Sequence, residues 1–167
     1  DVEITEPFYG FEHCEFVVNH ADYASGHYYR WLLRNGVDNP LELTGSAHSP
    51  EVAPEWWQIY KPALPAELYP TSYIADRTVA LVEQWRDEPW MIQCSFPDPH
   101  HPFTPPGHYW DMYDPADVAL PETFDVDPSH LMPHLQRWRR ERGTQRGRMS
   151  PWSPTEQQFR VGAAKEY

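Results

Sequence analysis

Two adjacent histidines, His100 and His101, are the residues of this chain best placed to do chemistry. They sit in Ser95-Phe96-Pro97-Asp98-Pro99-His100-His101-Pro102-Phe103-Thr104-Pro105-Pro106. Each proline fixes its own φ and restricts the residue before it, so the loop presents its side chains with little freedom left to lose. An imidazole held that way can donate a hydrogen bond to an anion, pass a proton or ligate a metal. The competing reading is a solvated turn in which the prolines only end a strand.

Other side chains offer weaker chemistry. His20 or His108 could join His100 and His101 around a divalent metal, although adjacent histidines are too close to form a helical metal pair and no cysteine pair has zinc spacing. Trp56, Trp57 and Tyr60 can stack on a glycan or cover a hydrophobic edge, and covering is the commoner use of large aromatics. Arg137, Arg139, Arg140 and Arg142 offer an anion site or a solvated helix face, the second being usual. Cys14 and Cys94 make no disulfide framework, and their apolar surroundings predict buried free thiols. Neither a glycine-rich phosphate loop nor a Gly-x-Ser-x-Gly elbow occurs.

These residues need elements to position them. Trp90 to Ser95 has strand length and β-favouring residues, so it predicts a buried strand ending at the histidine loop. Before it, Ile74, Thr78, Leu81, Val82 and Trp85 form the inward stripe of a helix over Thr71–Arg86, with Asp76, Arg77, Glu83 and Arg86 outward and Thr71 or Ser72 as cap. Open sheets place ligands at the carboxyl ends of strands in this helix–strand–loop arrangement. Earlier, Cys14, Phe16 and Val18 alternate with His13, Glu15 and Val17, predicting a strand over Glu12–Val18. The turn Asn19-His20-Ala21-Asp22 follows, then a helix over Gly26–Arg34, capped by Ser25 or Asp22 and stopped by Asn35-Gly36. Its Tyr28, Trp31 and Leu32 read as core packing. Residues 37–70 read as a long irregular insertion, and further helices are expected over Ser129–Arg142 and Thr155–Tyr167.

The totals narrow the class. At 167 residues the chain suits one domain or a piece of one. Nineteen prolines are about twice the ordinary share of ~5%, yet they alternate with tryptophans and tyrosines, which indicates a loop-rich α/β protein rather than disorder. Thirteen basic against 25 acidic residues leave a net charge of −12, which argues against nucleic acid as a partner. No apolar run approaches the ~20 residues of a membrane span. Asp1-Val2-Glu3 lacks an initiator methionine and a signal-peptide pattern, and the last helical pattern breaks off at Tyr167, so an internal piece of a longer chain is expected. Compartment stays open.

Taken in succession, the histidine loop, Tyr109-Trp110-Asp111-Met112-Tyr113, Gly10-Phe11-Glu12, Tyr28-Tyr29-x-Trp31-Leu32 and Tyr73-Ile74-Ala75-Asp76-Arg77 resemble the middle of the sulfatase family, in the alkaline-phosphatase-like superfamily. The resemblance spans nearly all of residues 1–167. It implies a fragment of a mixed-sheet sandwich with helices on both faces, in which residues 71–106 form a helix–strand–histidine-loop unit. It also implies that His100 contacts the sulfate, stabilising charge or protonating the leaving group, while His101 falls on the variable position and is at most a secondary substrate contact. The substrate would be a small-molecule or glycan sulfate ester.

The departures are informative. The family's formylglycine arises in a Cys/Ser-x-Pro-x-Arg motif, which neither Cys14-Glu15-Phe16 nor Cys94-Ser95-Phe96 matches. The carboxylates of the calcium site have no counterpart, and Lys61 and Lys165 lie outside the family's lysine contexts. Calcium and formylglycine therefore belong to the full-length enzyme and to no residue identified here. Residues 1–167 alone are expected to be inactive, with the remainder of the catalytic domain as their partner. A phosphonate or phosphodiester hydrolase of the same superfamily, and a non-catalytic aromatic glycan-binding module, are the alternatives.

Overall fold

The computed structural model describes residues 6–23, 25–53, 56, 58–124, 127–137 and 156–166. Within them lie helices and one small antiparallel sheet, a mixed α and β architecture rich in loops.

Helix α1 runs over Gly26–Arg34, as its pattern predicts. Tyr28 and Leu32, one turn apart, are fully buried, and Trp31 stacks beside Tyr28. The helix ends in a paired hydrogen-bond lock. Gly36, at φ 84°, donates to the carbonyl of Leu33, and Val37 donates to that of Leu32. Val37 then packs in the same cluster as Leu32, so the stop signal also closes the core.

Helix α2 spans Pro70–Gln84. Proline at the first helical position loses nothing, because that amide has no partner inside a helix. The helix therefore starts one residue before the expected caps. Thr71 and Ser72 lie within its first turn, where their hydroxyls donate to Asp98 and to the Ala66 carbonyl. Tyr73 is the buried anchor of α2, in the cluster with Tyr28, Leu32, Val37 and Leu64. Ile74, Thr78, Leu81, Val82 and Trp85 are only half-buried. Arg77, expected to face outward, instead closes on Glu15 at 2.6 Å.

The strands expected over Glu12–Val18 and Trp90–Ser95 do not form among the described residues. Alternation and β-branched side chains favour an extended backbone, but a strand also needs a neighbour for its N–H and C=O groups. Residues 12–18 are held instead by side chains and by α1: the Phe16 amide donates to His27 Nδ1, and the His27 amide to the Phe16 carbonyl. Residues 90–95 run past α2 largely exposed, touching it where Thr78 donates to Cys94 Sγ. Neither thiol is therefore buried: Cys14 is half-buried and Cys94 exposed.

The sheet arises where an irregular insertion was expected. Strands β1 (Glu51–Val52) and β2 (Tyr60–Lys61) pair antiparallel, with Val52 opposite Tyr60. Ile59, Tyr60 and Leu64 are almost completely buried, so residues 37–70 supply core rather than decoration. Trp56 packs edge-on against Phe103, with its indole N–H on Gln58 Oε1 at 3.3 Å. It covers an edge; Trp57 lies outside the described residues.

Tyr109 and Trp110 lie in a short 3₁₀ turn over Gly107–Asp111. Residues 133–137 are helical, inside the stretch anticipated over Ser129–Arg142, while its expected start at Ser129 lies in a separate 3₁₀ turn over Pro128–His130. Arg139, Arg140 and Arg142 lie outside the described residues. Helix α3, Glu156–Glu166, docks through Arg160 on the carbonyls of Ala116 and Val118, and Gly162 lets Trp56 approach closely.

A candidate histidine site

The histidine loop is tied at both ends. At its entry, Asp98 accepts a 2.6 Å hydrogen bond from Thr71 in the first turn of α2 and a longer one from the Tyr69 hydroxyl. Burial pushes the Asp98 carboxyl up, while those two hydrogen bonds and the charge of His20 pull it back. At its exit, the Phe103 amide donates to Gln58 at 2.8 Å, and the Tyr60 amide donates to the Phe103 carbonyl. Between the ties the His100 amide donates to the Pro97 carbonyl, closing a turn, and the peptide bonds entering Pro99 and Pro102 are cis.

His100 is exposed on this turn, with its Nδ1 2.6 Å from the carbonyl oxygen of His101. A carbonyl only accepts, so Nδ1 carries a hydrogen. In neutral His100 the remaining nitrogen, Nε2, is then an acceptor. It becomes a donor only when the ring is an imidazolium. An oxyanion contacted through Nε2 would therefore be met by the charged ring, which makes the hydrogen bond charge-assisted.

Three imidazoles meet here. The ring of His20 lies on that of His100 with centroids 3.7 Å apart and planes 14° from parallel, and His101 stacks on His100 at 4.3 Å. Burial holds His101 below its ordinary value, and the charges of His100 and His20 lower it further. His20 comes from the Asn19–Asp22 turn, whose backbone is unusual: Asn19 has φ 81° and Ala21 φ 56°. Asparagine tolerates that region; alanine does so at a cost of about 1–2 kcal/mol.

Asp22 holds the turn in place. It is fully buried and does not cap α1; its Oδ2 accepts from the Gly45 amide at 3.0 Å and its Oδ1 from the Tyr60 hydroxyl at 2.6 Å. Burial raises its carboxyl, and those two hydrogen bonds oppose the rise. Tyr60 thus joins both halves of the site, with its amide on the histidine loop and its hydroxyl on the His20 turn. Ser25, in the cap position of α1, donates to the Val18 carbonyl instead of capping.

Behind the loop lies a cavity of about 360 Å³, lined by Tyr69, Thr71, Asp98, Pro102, Tyr109 and Lys165 among others. Its size is that of a small-molecule pocket. Lys165 donates to the Trp110 carbonyl and lies over the Trp110 ring. The histidines are not among its lining residues, so the site and the cavity occupy separate surfaces of one loop.

The sequence singled out His100 and His101, and they are neighbours of His20 in space. His108 packs against the Tyr109 ring instead. Tyr60, expected to cover a hydrophobic edge or stack on a glycan, and Asp22, an alternative to Ser25 as helix cap, instead bond to each other, and Asp98 carries no such signal in the sequence. The available signal was that Asn19-His20-Ala21-Asp22 is, like the histidine loop, a polar turn after an apolar extended run. Among the described residues no group of three or more His, Cys, Asp or Glu side chains is arranged to hold a metal. The oxygens of Asp22 and Asp98 already accept from their own neighbours.

No family model, curated protein or solved structure matches this chain.

Proposed function

We propose that residues 1–167 belong to the catalytic domain of a sulfuric-ester hydrolase, in which His100 contacts the sulfate group. The observation that carries this reading is the fixed, exposed His100, whose Nδ1 is committed to the His101 carbonyl while Nε2 remains to meet an anion. As an imidazolium, His100 donates Nε2–H to a sulfuryl oxygen or gives that proton to the departing alcohol oxygen, where negative charge develops. Nucleophile and calcium site come from outside residues 1–167 in this reading. Segments 12–18 and 90–95 then become strands of an alkaline-phosphatase-like mixed-sheet sandwich, with neighbours from the rest of that domain. Their course beside α2, in no strand among the described residues, leaves them available for that role.

The test is hydrolysis of an aryl sulfate by the intact enzyme. His100→Ala should lower kcat/KM by roughly 10²-fold or more, the scale of a lost oxyanion donor or general acid. A phosphodiester and a phosphonate monoester run alongside separate the superfamily's other chemistries. Preference for either over the sulfate would overturn the assignment, as would an unaffected His100→Ala variant.

A further inference from the structure

His20 and His100 lie far apart in the chain, yet their rings overlap at the separation of a close aromatic stack. Several features maintain that overlap. The His20 turn keeps Asn19 and Ala21 in the left-handed region, and fully buried Asp22 clamps the same turn through Gly45 and Tyr60. The partner ring is held by the proline-framed loop and by its own Nδ1 bond to His101. Backbone in a disfavoured conformation that its surroundings over-determine is a recurrent mark of functional sites.

We infer that His20 is a positioning residue for His100, setting its ring orientation by stacking. This rests on the reading of His100 as the sulfate contact. Two imidazolium rings 3.7 Å apart would repel, so a charged His100 is matched by a neutral stacking partner. The groups around the pair fit that arrangement. On the loop side, His101 is biased toward its neutral form, and Asp98 supplies the nearby carboxyl. From the start of α2, Tyr69 offers a hydroxyl whose burial keeps it protonated. Asp22 is turned away into Gly45 and Tyr60. When an oxyanion arrives, Nε2–H of a charged His100 gains an acceptor while the His20 ring remains its stacking partner.

The experiment follows histidine ring nitrogens by NMR in the intact protein, titrating pH with and without inorganic sulfate, for the parent protein and for His20→Ala and His20→Phe. Sulfate should move the His100 signals in the parent protein. His20→Ala should shift the His100 titration and weaken sulfate binding about three- to tenfold, the scale of one lost ring–ring contact. His20→Phe should restore the affinity, since it keeps a flat partner. His20 is exposed, so neither change removes core. If His20→Ala leaves both the His100 titration and sulfate affinity unmoved, the positioning role is overturned while sulfate contact stands. If sulfate moves no His100 signal in the parent protein, the sulfate reading falls; a His100 titration still altered by His20→Ala would then support the ring coupling alone.

Discussion

The hydroxyl of Tyr60 donates a 2.6 Å hydrogen bond to Oδ1 of Asp22, and both side chains are completely buried. Through this bond a residue of β2 holds the turn that carries His20, while its backbone amide holds the loop that carries His100. Tyr60→Phe removes the donor without changing the ring. It should cost about 1–3 kcal/mol in urea unfolding, the penalty of a buried acceptor left without its partner. The Asp22 carboxyl should rise further, because one of the two hydrogen bonds opposing its burial is gone. Unchanged stability would mean that the pair does not hold the turn.

His100 and His101 should respond unequally to substitution in the intact enzyme. His101 offers its backbone carbonyl to His100, and that carbonyl survives any side-chain change. His101→Ala should therefore cost no more than roughly tenfold in kcat/KM, against 10²-fold or more for His100→Ala. Steady-state kinetics of both variants checks this. Equal losses, or a larger one at His101, would move the active imidazole one residue along.

Glu15 should make stability depend on acid. Burial pushes its carboxyl up, but hydrogen bonds from Arg77, Tyr73 and His13 outweigh burial and hold it at about 2, against an ordinary value of 4.5. A folded-state value below the unfolded one contributes stability that is fully present above pH 4.5 and lost as pH falls toward 2. Partial exposure of the pair reduces the contribution to roughly 1–2 kcal/mol. Glu15→Gln should flatten the unfolding free energy across that window. An identical acid slope in the variant would place the effect elsewhere.

Gly26 has no tolerated substitute. Its φ is +61°, and a Cβ there would stand 2.6 Å from the Phe16 carbonyl oxygen, which also accepts from the His27 amide. Gly26→Ala should cost about 2 kcal/mol or more, combining left-handed strain with displaced backbone. Gly36→Ala is the control: it shares the left-handed region but meets nothing within 4 Å, so strain alone should cost about 1–2 kcal/mol. Matching urea midpoints for the two variants would show that Phe16 yields readily.

What the sequence determined by itself was local. The spacing of Tyr28 and Leu32 with the Asn35-Gly36 stop located α1, the cap candidates Thr71 and Ser72 with the stripe around Ile74 located α2 to within two residues at each end, and the prolines marked the histidine loop. Helical hydrogen bonds and proline constraints act within a few residues, so they leave a readable pattern. Strand pairing does not: Glu12–Val18 and Trp90–Ser95 carry extended patterns but lie beside α2 without a strand partner among the described residues, where the pairing occurs at Glu51–Val52 and Tyr60–Lys61. A backbone's choice of neighbour depends on what closes around it. The same holds for the candidate site. Only the tertiary structure brought His20 onto His100, because that contact depends on Tyr60 binding two loops remote from each other in the chain, and on a buried carboxylate whose partners no local spacing specifies.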